Sequence, residues 1–355
     1  MILFLLPCFS GGGAERVVLN LLIGLHNHNH LVEIIVFNDD GPLLSMVPDG
    51  VLVHNLGTGS LRNSIIPLIK KLWKLRPGII FSTLGYINLA LLALRWFLPR
   101  KTNIWVREAN LPSISLPNNH RPKLITTLYW LLYRRSNKLI CSSIRMREEF
   151  ISNFSVSKEI IEILPNPVDL ELIRSSALYM KRFDNGGICY IASGRLTFQK
   201  GFDRLVKWFS TLDDKKSTLV ILGDGDDKHA LIQQSNELNL QNRVKFVGFC
   251  DNPWQWYAGA DCFLLSSRWE GLPNVVLESL ACGTRVISTI ESGGVVEIAK
   301  QAVEGGLIVT SSTSSFINEM LRVERNPIKK IKESLLPDMY HIESSILIIE
   351  RLIEC

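Results

Sequence analysis

Residues 266–283 read SSRWEGLPNVVLESLACG and follow the apolar run Cys262–Leu265. A buried strand ends near Leu265, a turn holds Glu270-Gly271, and a helix begins near Pro273, because proline suits the first helical position. Strand, short turn and helix together form the unit from which parallel sheets with crossover helices are built. Glu278 falls about a turn and a half into that helix, so Glu270 and Glu278 can address one ligand. The plain alternative, Glu270 as a solvent-exposed loop acid, is the weaker reading in this setting.

The same unit recurs in both directions along the chain. Before the midpoint the strand candidates are Ile2–Leu6, Val32–Phe37, Ile79–Ser82, Ile104–Val106 and Leu139–Cys141. After it they are Ile188–Ser193, Thr218–Leu222, Val244–Val247, Cys262–Leu265, Val286–Ser288 and Gly306–Val309. Amphipathic stretches separate them, which predicts two doubly wound α/β sheets. A chain of 355 residues is long for one core and comfortable for two. Leu164-Pro165-Asn166-Pro167-Val168-Asp169 punctuates the chain between the two sets. The expected division is 1–168, 169–337 and a last helical segment, 338–355. In that segment Ile346, Ile349, Leu352 and Ile353 fall at helical spacing.

Composition is globular, with 46% hydrophobic and 21% charged residues and no disordered tail. The seven cysteines, Cys8 to Cys355, are scattered and never form CxxC, the usage of reduced thiols and not of a disulfide framework or zinc site. The start, MILFLLPCFSGGG, lacks a basic region and breaks at Pro7, so it reads as a buried strand and not a signal peptide. Of the net charge of +5, residues 1–168 hold 18 Lys and Arg against 10 Asp and Glu, while the remainder is slightly acidic. The basic half is the one to meet an anionic partner. Charge alone would admit nucleic acid, but no aromatic-basic recognition motif accompanies it.

In open parallel sheets, ligands bind beyond the carboxyl ends of the strands, where helix N-termini favour anions. Two further motifs stand at such turns. Gly11-Gly12-Gly13-Ala14-Glu15-Arg16 follows the first strand, and its glycines let a backbone approach a phosphate or sugar. It lacks both GxGxxG spacing and a Walker lysine, so a tight turn before a helix is its plain alternative. Ser193-Gly194-Arg195-Leu196-Thr197-Phe198-Gln199-Lys200-Gly201 places two cations at another strand end. Arg195 and Lys200 suit a pyrophosphate whose charge grows as a sugar bond breaks; two solvated surface charges are the alternative.

These three motifs, in this order, closely resemble glycosyltransferase family 4, the retaining enzymes of the GT-B fold, over nearly the whole chain. The resemblance implies two Rossmann-like doubly wound domains facing across a cleft. Residues 1–168 would bind the acceptor and 169–337 the nucleotide-sugar, with 338–355 packing back on the first domain. It implies that Arg195 and Lys200 hold the donor diphosphate and that Glu270 contacts the donor sugar, these three being the catalytic set. Glu278 would bind the ribose hydroxyls. The amides of Asn274 and Val275 and the loop at Gly12-Gly13 would complete the diphosphate cradle, and the base would lie against Phe249-Cys250. Transfer would retain configuration and need neither a metal nor a cofactor, with the leaving phosphate taking the acceptor's proton.

The chain departs from the family where many members carry a histidine that touches the donor sugar. Here the stretch is Trp105-Val106-Arg107-Glu108-Ala109-Asn110, so Arg107, Glu108 or Asn110 would take that task, and the sugar is left open. Asp224-Gly225-Asp226 spells an acid-x-acid metal pattern but is also an ordinary turn. His26, His28 and His30 alternate in a loop after the first helix, read as surface with no carboxylate grouped near them.

Tyr86–Leu98 and Leu124–Tyr133 combine Trp, Tyr and Leu with neighbouring Arg and Lys, the pattern of helices lying on an anionic bilayer; core helices are the equal alternative. Neither reaches the ~20 apolar residues of a membrane span. The resulting expectation is a cytoplasmic enzyme, peripheral on the inner face of the membrane. It would move a sugar, with uridine as the favoured base, to a saccharide or polyprenyl-diphosphate-linked acceptor in polysaccharide or O-antigen synthesis. The alternatives are a sugar-nucleotide 2-epimerase type of enzyme and a non-catalytic homologue in a glycan-assembly complex.

Overall fold

The computed structural model describes residues 1–326 and 330–354; Cys355 lies outside them. The chain forms two compact units, Met1–Val168 with Ile342–Cys355, and Asp169–His341.

The first unit holds seven parallel strands: β1 (Ile2–Leu6), β2 (Val32–Val36), β3 (Leu52–Asn55), β4 (Ile79–Thr83), β5 (Asn103–Arg107), β6 (Lys138–Cys141) and β7 (Ile161–Ile163), in the order β3-β2-β1-β4-β5-β6-β7. The second holds six: β8 (Cys189–Ser193), β9 (Thr218–Leu222), β10 (Val244–Gly248), β11 (Cys262–Leu265), β12 (Val286–Thr289) and β13 (Leu307–Thr310), in the order β10-β9-β8-β11-β12-β13. The central strands are buried on both faces and read as unbroken apolar runs, as parallel sheets require. Each sheet reverses winding once, between β1 and β4 and between β8 and β11. At such a point two neighbouring loops part and leave a crevice.

β3 and β7 go beyond the sequence-based strands. Both are edge strands. β3 is only partly buried, and β7 has three residues, so neither presents the continuous apolar run that reveals the central ones.

In the first unit, β-strand alternation sends Phe4, Phe81, Trp105 and Ile140 to one face. They pack there with the helix Gly13–Asn27 and the C-terminal helix Ile342–Glu354. The two helices lie close: a Cβ on Gly24 would fall 2.7 Å from the side chain of Ile346. The opposite face is covered by the helices Leu61–Leu75, Gly85–Ala93, Pro122–Leu132 and Ile144–Phe154.

The histidines differ from their sequence reading. His26 lies in the first helix, and two carboxylates of the C-terminal helix reach the others. His28 bonds Glu343 at 2.9 Å and Glu350 at 3.0 Å, while His30 bonds Glu350 at 2.9 Å. Separations of more than 300 residues in sequence hid this grouping. Hydrogen bonding to Glu343 raises His28 above its ordinary 6.5, and His30 and then His28 lower the Glu350 carboxyl.

The His28 contribution is therefore full below pH ~6.5 and is lost as pH rises through the raised value. The Glu350 contribution is lost at the acid end, as pH falls through its depressed value. His28→Asn should lower the thermal midpoint by ~1–3 °C at about pH 6, where both partners are charged, and by almost nothing at about pH 9. Circular dichroism melts at the two pH values check this, and equal losses at both would refute the assignment.

Candidate functional site

The β8/β11 reversal of the second unit gathers most of the predicted residues. After β8 the chain runs through Gly194 to a single 3-10 turn, Phe198–Lys200, then Gly201 and the helix Phe202–Ser210. Gly201 has φ +66°, and a Cβ there would sit 2.2 Å from the carbonyl oxygen of Ser266. Only glycine satisfies both conditions. That contact brings the β8 loop against the β11 loop, and a set of hydrogen bonds fixes it. Arg268 N donates to Gln199 O at 2.7 Å, Gln199 Nε2 to Trp269 O at 3.0 Å, and Ser266 Oγ to Lys200 O at 3.1 Å. Arg204 adds two more, Nε to Ser266 O at 2.8 Å and Nη2 to Ser267 O at 2.9 Å.

The consequence is that Lys200 Nζ meets Glu270 Oε1 at 2.5 Å. Glu270 is buried and Lys200 half-buried. Ser267 Oγ donates to the same carboxylate oxygen at 2.7 Å, so the acid is both charge-paired and hydrogen-bonded, as a buried carboxylate must be. Behind it, Gly294 N donates to Gly271 O at 3.0 Å, and a Cβ on Gly294 would stand 2.1 Å from that oxygen. The β12 loop thus supports the Glu270-Gly271 turn.

The helix after this turn spans Asn274–Ala281, with Pro273 as its N-cap, one residue later than the sequence suggests. Asn274 and Val275 open it half-buried. Glu278 is buried in it and accepts from Trp254 Nε1 at 3.2 Å. Trp254 begins the helix Trp254–Gly259, shortly after Phe249-Cys250. Phe249 is exposed, and Cys250 Sγ lies 3.3 Å from Asn252 O. Arg195 is exposed on the β8 loop.

Asp224 and Asp226 lie in the loop after β9. A Cβ on Gly223 would come within 1.9 Å of Gly194 O, and one on Gly225 within 2.4 Å of Leu196 O. Leu196 N donates to Asp224 O at 2.9 Å. The segment is a turn packed under the β8 loop, and Asp224 pairs with Lys228 at 2.7 Å. Among the described residues no three His, Cys, Asp or Glu gather as metal ligands.

In the first unit, Gly13 opens the first helix after Gly12. Ser10 Oγ donates to Glu15 Oε1 at 2.9 Å, and Glu15 folds back so closely that a Cβ on Gly12 would meet its Oε2 at 2.3 Å. Arg107 ends β5 and Glu108 follows it, the two side chains pointing to opposite faces. Glu108 is buried beside Asn88, Tyr129 and Tyr133, whose polar groups donate to its Oε1. Burial raises it to about 6 against the lowering effect of these bonds. Arg107 is 2% exposed, donates to Asn166 Oδ1 at 2.5 Å, and is lowered by burial to about 10. Sequence reasoning missed Ser267 and Trp254, which orient the two glutamates. Ser267 could have been found within SSRWEG, while Trp254 is too distant in sequence to signal its contact.

The family described as glycosyl transferases group 1 matches residues 181–335, and glycosyltransferase family 4 matches residues 11–172. The chain is 31% identical over 336 residues to an N-acetylgalactosamine-N,N'-diacetylbacillosaminyl-diphospho-undecaprenol 4-alpha-N-acetylgalactosaminyltransferase of Campylobacter jejuni, covering 90% of this chain and 89% of that one. It is 25% identical to a UDP-Gal:alpha-D-GlcNAc-diphosphoundecaprenol alpha-1,3-galactosyltransferase of Escherichia coli, covering 92% and 88%. The fold matches the crystal structure of Anabaena HepE in complex with UDP-glucose, with a TM-score of 0.76, 18% identity and 99% of each chain covered.

The coupling of Lys200 and Glu270 is measurable in the ligand-free protein. Lys200→Met strands a buried carboxylate and should cost ~2 kcal/mol. Adding Glu270→Gln should restore at least ~1 kcal/mol of that loss. Urea denaturation of the four members of the cycle tests it, and simple additivity would show that the pair does not interact.

Proposed function

This chain belongs to glycosyltransferase family 4, with the GT-B fold, and from that premise we propose that it transfers a sugar from a UDP-sugar, with retention, to a saccharide carried on a polyprenyl diphosphate. The observation that carries this reading is the Lys200–Glu270 pair at the β8/β11 reversal, flanked by the start of the helix Asn274–Ala281.

A diphosphate placed there gains Lys200 and Arg195 as counter-charges, and their attraction strengthens as the bond to the sugar breaks. Glu270, oriented by Ser267, faces the sugar. Glu278, oriented by Trp254, accepts from the ribose hydroxyls, and Asn274 and Val275 meet the phosphates with their backbone. The base lies against Phe249-Cys250. With two cations supplying the charge, the chemistry calls for no metal and no cofactor. The leaving phosphate accepts the proton of the attacking hydroxyl.

Relatives whose substrates carry diphospho-undecaprenol support a lipid-linked acceptor and a role in surface-polysaccharide assembly. So does the surface of the first unit. Trp96 and Phe97 are exposed near Arg100 and Lys101, and Leu124, Trp130 and Leu131 near Arg121 and Lys123. Trp96 and Phe97 stand in a 3-10 turn, Arg95–Phe97, after the helix Gly85–Ala93, and that helix packs on Pro122–Leu132. The core reading of these stretches holds for Leu91, Leu92, Tyr129 and Tyr133, and the exposed residues are what supports the bilayer reading. No helix among the described residues is long and apolar enough to cross a membrane. The surface suits peripheral attachment to an anionic leaflet, on the cytoplasmic side.

Calorimetry with UDP, GDP and ADP in excess EDTA tests the donor site. UDP should bind, and Lys200→Ala and Glu278→Ala should each weaken it at least ~10-fold; a metal requirement or indifference to both changes would remove the assignment. NMR of the product's anomeric proton then decides retention. For the surface, cosedimentation with anionic vesicles at low salt should fall at least ~5-fold in Trp96→Glu/Trp130→Glu, and equal binding to neutral vesicles would count against it.

A further inference from the structure

Between Asp49 and Glu148 the only Asp or Glu is Glu108, against sixteen Lys and Arg. Glu108 is buried and takes its hydrogen bonds from Asn88, Tyr129 and Tyr133, so the surface built from this span offers no free acid. The span supplies the helices Leu61–Leu75, Gly85–Ala93 and Pro122–Leu132, which cover one face of the first sheet. The C-terminal helix Ile342–Glu354 packs on the other face.

The helix Leu61–Leu75 adds cations to this layer that the aromatic groups described above do not include. Arg62, Ile66, Lys70 and then Trp73 and Lys74 recur at intervals of three and four residues, which puts them on one stripe, and all five are exposed. Ile66 is 65% exposed and Trp73 48%, while Ser64, Leu68 and Leu72 on the inward stripe are buried. No carboxylate stands three or four residues from Arg62, Lys70 or Lys74, so none of the three has an ion-pair partner on its own helix. Trp73 Nε1 donates to Phe97 O at 2.9 Å, which joins the stripe to exposed Trp96 and Phe97.

Cations alone would suit any polyanion, but large apolar side chains stand between them. RNA would neutralise Lys70 and Lys74 and leave Ile66 and the adjoining Phe97 in water, whereas a bilayer interface receives both kinds of group. A second copy of the chain would bring like charges together. We propose that the outward stripe of Leu61–Leu75 is an anchor for anionic lipid, and that the bilayer lies against this helical layer, on the side of the first sheet away from the C-terminal helix. This deepens the peripheral attachment proposed above, on which it rests, by naming the helix that supplies the charge and the side that faces lipid. It does not depend on the transfer reaction.

The test is cosedimentation of the full chain with phosphatidylglycerol or phosphatidylcholine vesicles at low salt. Phosphatidylglycerol should bind at least ~10-fold more tightly than phosphatidylcholine, and Lys70→Gln/Lys74→Gln should weaken that binding ~10-fold and Ile66→Ser ~3-fold. Two controls should each stay within ~2-fold of the parent: Lys215→Gln/Lys216→Gln, an equal loss of charge at exposed positions of the second unit, and Leu347→Glu, at an exposed position of the C-terminal helix. A loss in Lys215→Gln/Lys216→Gln as large as in Lys70→Gln/Lys74→Gln would show that net charge alone matters and overturn the anchor. A loss as large in Leu347→Glu would overturn the orientation. If Trp96→Glu/Trp130→Glu lowers binding while the Leu61–Leu75 variants do not, the aromatic surface stands and the anchor falls; if none of them does, both fall. Poly(U) RNA binding as tightly as phosphatidylglycerol, and weakened by Lys70→Gln/Lys74→Gln, would assign the stripe to nucleic acid and overturn the lipid assignment.

Discussion

Gly201 and the carbonyl of Ser266 approach so closely that a Cβ at residue 201 would stand 2.2 Å from the oxygen. The backbone there has a positive φ that side chains resist. Glycine meets both demands and lets two loops from adjacent strands run in contact. The geometry of the candidate donor site follows from that contact. Lys200 precedes this glycine and Glu270 lies four residues beyond Ser266, so the backbone contact brings ammonium and carboxylate within reach of one another. Arg204, donating to both Ser266 and Ser267, ties the following helix to the same carbonyls. A site anchored in this way holds its charges in place before any substrate arrives, which is what electrostatic stabilisation of a developing charge needs.

The glycines after β9 act in the same way one strand further out. Gly223 and Gly225 admit the carbonyls of Gly194 and Leu196, which explains why an acid-x-acid spelling appears without a ligand cluster. The glycines, not the acids, are demanded by packing. Asp224 is left facing Lys228.

Much of this was legible in the sequence because parallel central strands are apolar throughout and end in turns rich in glycine. Cys262–Leu265 followed by a turn and Pro273 fixes the strand, the loop and the helix start to within a residue. Edge strands carry less signal: Leu52–Asn55 is part solvent-facing, so its apolar pattern is broken. Pairings across the chain carry none. Nothing in HNHNH announces Glu343 and Glu350, and nothing near Glu278 announces Trp254. The sequence also could not say which way Arg107 and Glu108 point, because that depends on the parity of β5 against a sheet whose buried faces are both apolar.

That parity separates the two units in their treatment of buried charge. In the second unit the cation and the acid come from neighbouring loops and meet, Lys200 Nζ against Glu270 Oε1. In the first, Arg107 and Glu108 are adjacent in sequence, and strand alternation therefore sends them to opposite faces. Glu108 is satisfied by hydroxyls and an amide, and burial raises it to about 6, so its ability to offset the guanidinium falls as pH drops through that value. Arg107 retains its charge, since burial brings it only to about 10. A sheet edge built in this way couples its buried cation and its buried acid through space, while the acid takes its hydrogen bonds from Asn88, Tyr129 and Tyr133.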